Sequence, residues 1–168
     1  MRTKRAIAAA VALVATLTVT AGAVSGVTGA KPRPHSAADQ LAGTWIVKVN
    51  RPAPLPPLTS LQVFTRAGSM IENANEPPAI RTEAYGSWKR LHGRLYATTT
   101  LFFRFNPQTG AWLGTTKVDR TIEVAQDGQS FTVVARVTML DPGGNTIATF
   151  PATASGQRMQ VEPIAGRP

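Results

Sequence analysis

The sequence predicts an all-β protein, an eight-stranded antiparallel up-and-down β-barrel preceded by a signal peptide and a short linker. Three observations predict it. About eight β-like runs recur between turn signals, no stretch carries convincing helical periodicity, and tight turns alternate with long loops.

The first segment reads as an export signal. Arg2, Lys4 and Arg5 precede an Ala/Val/Leu run over residues 6–14, which gives way to Thr, Gly and other small residues. Charged, then apolar, then small is the order of a secretory signal. Small-x-small sites at Ala21-Gly22-Ala23 and Thr28-Gly29-Ala30 place the mature start after Ala23 or Ala30, in a secreted or extracytoplasmic protein. An uncleaved anchor is the competing reading, because residues 6–24 are about long enough to span a bilayer. Their many Ala, Thr and Gly residues make a poor anchor. Residues 31–40, KPRPHSAADQ, are polar and proline-containing and read as a linker. The barrel domain is expected over 41–164, about 125 residues and enough for one core, with 165–168 as a C-terminal tail.

Composition narrows the chemistry. The chain has no cysteine, so an exported domain of this size must hold itself by its core, without disulfide, thiolate metal site, thiol nucleophile or lipidated cysteine. Cleavage after residue 30 leaves 15 basic against nine acidic residues, a net charge of +6. That charge suits solubility or peripheral contact with anionic envelope polymers or lipids. The basic residues stand singly along strands, which argues against nucleic acid.

The strands are expected near residues 44–50, 59–65, 69–73, 86–91, 94–105, 112–125, 130–140 and 145–155. In the fifth, Leu95, Ala97, Thr99, Leu101, Phe103 and Phe105 share one face, and in the seventh Phe131, Val133, Ala135, Val137 and Met139 do the same. The opposite face of the sixth, with Thr115, Lys117, Asp119, Thr121 and Glu123, looks solvated. Tight turns follow strands two, four and six at Ala67-Gly68, His92-Gly93 and Asp127-Gly128. Long loops follow strands one and three: residues 51–58, with four prolines, and residues 74–85, with Pro77 and Pro78. The connections 106–110 and 141–144 are intermediate. In a meander, the odd-to-even connections all fall at one end, so the long loops gather there as at the mouth of a cup.

An eight-stranded meander closes most simply into a barrel, which removes both sheet edges. Here the chain resembles the calycins, and lipocalins in particular. Gly43-Thr44-Trp45 opens the first strand where lipocalins carry Gly-x-Trp, and Arg158 follows the last strand where they often place an arginine over that tryptophan. The resemblance implies that Trp45 and Arg158 meet at the tight-turn end. Gly86-Ser87-Trp88 and Gly110-Ala111-Trp112 repeat the spacing, and the outline also fits other small barrels, including that of allene oxide cyclases.

Catalytic material is sparse. His35 falls in the linker and His92 in a turn, so neither suits a Ser-His-Asp arrangement or a two-histidine metal site; no catalytic, metal or cofactor residue is assigned. Gly143-Gly144 reads as a hairpin turn, with no helix after it to hold a phosphate. Phe102-Phe103-Arg104-Phe105 mixes aromatic and basic residues as single-strand nucleic-acid platforms do, but reads more simply as a core strand.

The candidate ligand-binding residues follow from alternation. Leu61, Val63, Leu101, Phe103, Val118 and Val133 are expected to face inward as an apolar wall, with Tyr85, Trp88 and Trp112 lining or rimming the cavity. Arg120, in phase with Val118 and Ile122, points inward by the same rule. There it needs a carboxylate, Glu72 or Glu123, or an anionic ligand headgroup, unless a β-bulge turns it outward, which is the simpler expectation. The expected function is a non-catalytic module holding a small apolar or amphipathic ligand inside the barrel. A cyclase or isomerase working in the cavity, and a filled barrel acting through its surface, are the alternatives.

Overall fold

A computed structural model describes residues 40–162 and 164. The expected signal peptide, the C-terminal tail and all of the linker except Gln40 lie outside the described residues.

Eight antiparallel strands form one closed barrel in sequence order: β1 (Gly43–Asn50), β2 (Leu58–Phe64), β3 (Ser69–Ala74), β4 (Ala84–His92), β5 (Leu95–Phe105), β6 (Trp112–Val124), β7 (Ser130–Leu140) and β8 (Thr146–Arg158). The all-β class, the strand number and the up-and-down order are those the sequence predicts. Closure is made by β1, which pairs with β2 on one side and β8 on the other, so Trp45 stands opposite both Gln62 and Arg158. No strand is left with an open edge, which removes the usual route to edge-to-edge association. The glycines of the expected tight turns, Gly68, Gly93 and Gly128, are all at positive φ. Only the β4–β5 turn, residues 93–94, is two residues long, and His92 belongs to β4; the β2–β3 and β6–β7 connections take residues 65–68 and 125–129.

The closed end is solid. Trp45, Tyr96, Phe64, Met70, Ile122 and Phe131 are fully or almost fully buried there. Trp45 tilts against Phe131 at 4.6 Å between ring centroids, and Phe64 meets both Phe131 and Trp88 edge-on at 6.4 and 6.3 Å. Each such pair contributes about 0.5–1.5 kcal/mol beyond burial of area. Space for Phe131 comes from Gly156, its cross-strand partner, where a Cβ would lie 2.3 Å from the ring. Trp45 Nε1 donates to Leu41 O at 2.9 Å, satisfying the buried indole.

Arg158 covers Trp45 from outside, its guanidinium carbon 4.2 Å from the ring centroid. The same guanidinium donates to Gly128 O at 2.7 Å, to Ala42 O at 2.9 Å and to Gln40 O. One side chain thus ties the β6–β7 turn and the segment entering β1 across the barrel's base.

The other four connections lie at the opposite end, where Arg51 and Leu55 of the β1–β2 loop and Glu76, Ile80 and Arg81 of the β3–β4 loop line an opening. The β3–β4 connection does not merely cross it. Thr82 N donates to Phe103 O at 3.1 Å and Phe105 N to Ile80 O at 2.9 Å, so residues 80–82 extend the β4–β5 pairing past Ala84 through an isolated bridge, Arg81 opposite Arg104. This pairing fixes Arg81 over the opening.

Candidate functional site

Because the aromatic cluster fills only the closed end, a cavity of about 300 Å³ remains beneath the long loops. One wall is apolar and comes from β6, β7 and β8. Val118, Val133, Ala135, Val137, Phe150 and Ala152 supply it. Their alternation is regular because the three strands pair without a bulge along this stretch, keeping every second residue inward.

The facing wall is polar and charged. Gln62 and Glu72 are cross-strand partners on β2 and β3, in line with Trp45, and both point inward. Arg120 reaches across the lumen from β6, donating through Nη2 to Glu72 Oε2 and through Nη1 to Thr100 Oγ1 at 2.7 Å. Gln62 Nε2 donates to the same carboxylate oxygen at 3.4 Å and to Ser60 Oγ at 3.2 Å. Above this group sits Arg81, with Nη2 3.7 Å from Glu72 Oε1 and Nη1 3.3 Å from Glu76 Oε2. Glu76 is held in turn by Arg51 Nη1 at 2.7 Å, and Arg51 also donates to Pro56 O, bracing the proline-rich loop. The ion pairs therefore run from mid-barrel to the mouth in the order Arg120, Glu72, Arg81, Glu76, Arg51.

Burial makes this chain energetically consequential. Glu72, Arg81 and Arg120 have side chains at most 9% exposed, so each has lost most of its hydration. Such groups persist only where partners replace the water. Arg81 adds a stacking contact, its guanidinium carbon 3.8 Å from the Phe102 centroid. Arg104 lines the cavity beside it, with Nη2 donating to Leu113 O and Leu140 O at 3.2 and 2.8 Å.

Of the residues the sequence singled out, Val118, Arg120 and Val133 line the cavity. No bulge turns Arg120 outward, and of its two candidate partners Glu72 is the one it meets; Glu123 is exposed beside Arg94 instead. Six others face the opposite way. Leu61, Val63, Tyr85, Leu101, Phe103 and Trp112 lie on the outer surface, 37–59% exposed. Val63, Ile71, Tyr85 and Leu101 are in register from β2 to β5 and make an outer apolar row. Trp88 faces in but belongs to the solid closed end, against Tyr96, with Nε1 donating to Thr65 O at 2.9 Å. The inward set on β5 is Tyr96, Thr98, Thr100, Phe102 and Arg104, the reverse of the expected face until the bulge at Arg104/Phe105 brings Phe105 to the cavity.

Gln62, Glu76, Arg81 and Arg51 were not singled out by sequence reasoning, and Arg104 was weighed only within the Phe102–Phe105 run and not as a cavity residue. The signal for Gln62 and Glu72 was present: both are in phase with flanking apolar residues, Phe64 in one strand and Met70 in the other. Arg81 gave none, since its position depends on loop residues pairing with β5.

No family model matches the chain, and no curated protein is significantly similar to it. The protein class is therefore defined by architecture and site alone: a small closed β-barrel, solid at one end and hollow at the other, with a buried ion-pair chain in the hollow half.

Proposed function

We propose that the protein is an exported, non-catalytic binding module that holds a small amphipathic molecule in the open half of the barrel. The observation that carries this reading is the cavity itself, with one apolar wall, one polar wall, and a mouth framed by the long loops. Pockets for small ligands characteristically combine mostly apolar lining with a few fixed polar groups. The calycin resemblance supports the same reading, since Trp45 and Arg158 close the base as its Gly-x-Trp and arginine imply. A filled barrel acting through its surface fits less well, because unfilled volume remains. A cyclase or isomerase would use Glu72 to move a proton, yet both Glu72 oxygens face cations and Oε2 also receives Gln62, an arrangement suited to fixing charge.

A polarity-sensitive fluorescent dye should bind the mature domain saturably at one site. Ala152, inward and 6% exposed, is the position to block. Ala152→Trp should reduce dye affinity by at least about tenfold, since its ring must take up cavity space, while Leu101→Trp on the outer surface should leave it unchanged. Equal affinities in the two variants, with both still folded by near-ultraviolet circular dichroism, would refute the cavity as the site.

A further inference from the structure

We infer that the ligand is an organic anion of about ten non-hydrogen atoms, its charged end met by Arg81 and its tail laid along β6–β8; this rests on the cavity being the binding site. The first ground is charge. Four arginines line the cavity, Arg51, Arg81, Arg104 and Arg120, against two carboxylates, Glu72 and Glu76. Among side chains as buried as Arg81 and Arg120, an excess of cations favours a guest of opposite sign.

The second ground is unused donors. Arg81 Nη2 is buried and makes no hydrogen bond, its nearest carboxylate oxygen being 3.7 Å away. Arg104 Nε and the Thr116 hydroxyl are likewise buried without a partner. Thr116 stands opposite Phe102 in the sheet, and Phe102 is the ring on which Arg81 stacks. Buried donors left unsatisfied are costly, and an oxyanion bound among them would recover that cost through charge-assisted hydrogen bonds. Glu72 and Glu76 do not compete as recognition groups, because each already faces two arginines.

The third ground is size. At the ~30 Å³ that a water occupies in the liquid, 300 Å³ accommodates about ten heavy atoms. A straight-chain acid of eight carbons meets that limit. Its carboxylate would sit at the Arg81 level near the mouth, and its methylenes would lie against Val118, Val133 and Ala152.

Isothermal titration of the intact mature protein at neutral pH with octanoate, 1-octanol and octylamine tests the inference. Octanoate should bind at least about tenfold more tightly than 1-octanol, and octylamine should bind most weakly. Arg81→Gln should bring octanoate down to the level of 1-octanol while leaving 1-octanol itself unchanged, and Arg81→Lys should restore part of the preference. Should Arg81→Gln fail to fold, the ranking in the unmodified protein decides alone. Octanol equal to octanoate, or octylamine tightest, would overturn the anion inference and leave the cavity reading standing. Dye binding blocked by Ala152→Trp, with none of the three octyl compounds bound, would overturn the inferred ligand class. If the dye is not blocked either, the cavity reading falls with it.

Discussion

At the scale of single residues, the base of the barrel shows why a tripeptide spacing can carry structural meaning. Gly43 has φ of +135°, a conformation that side-chain-bearing residues rarely adopt, and a Cβ there would lie 2.6 Å from Arg158 Nη1. The glycine is thus required twice, by the backbone and by the arginine that caps Trp45. Gly43→Ala should lower the stability of the domain by about 1–3 kcal/mol, read as a shift in the urea midpoint without a change in slope. If Arg158→Ala is made first, the alanine at 43 should cost less, because the collision is gone and the backbone term alone remains. Equal costs in the two backgrounds would show that the close approach contributes nothing.

At the scale of elements, β6 and β7 explain what was legible, and β2 and β5 what was not. In β6 and β7 one face is mostly apolar and the other mostly polar, so alternation placed Val118 and Val133 inward; it pointed Arg120 inward too, although an outward-turning bulge was the simpler expectation. β2 and β5 are apolar on both faces: Leu61 and Val63 look outward while Leu58 and Phe64 look inward, and Leu101 and Phe103 look outward while Tyr96 and Phe102 look inward. A strand of that kind has no face that its own composition selects. Register with β1 decides it, since Trp45 pairs with Gln62 and draws the even-numbered residues of β2 inward. The outcome leaves Gln62 and Thr100 inside, where Glu72 and Arg120 require hydrogen-bonding neighbours. These two ions should be strongly coupled. Glu72→Leu or Arg120→Met alone should each cost about 3–5 kcal/mol, because the remaining charge stays buried without its closest partner. The double variant should cost clearly less than the two losses added together, measured by chemical denaturation in a double-mutant cycle. Additive losses would mean that the pair acts as two independent packing groups.

At the scale of the whole molecule, the alternation of short and long connections was the most informative property of the chain. Short turns cannot reach over an opening, so their segregation to one end located the cavity before any side-chain orientation was known. Loop pairing was beyond that reasoning, because residues 80–82 meet β5 through backbone hydrogen bonds that side-chain identity does not signal. The N-terminal signal is a separate expectation that the barrel does not address. Sequencing of protein recovered from the extracellular fraction should give a start after Ala23 or Ala30; an intact Met1 chain held in membrane would show an anchor in its place.

The pairing of Trp45 with Arg158 also has a bearing on how the barrel can be moored. Where β1 enters and β8 leaves, the two strand ends are neighbours at the base, and the mouth lies a full strand length away. A laboratory linker attached ahead of Leu41 would therefore join the barrel at its base, leaving the mouth at the end farthest from the attachment point.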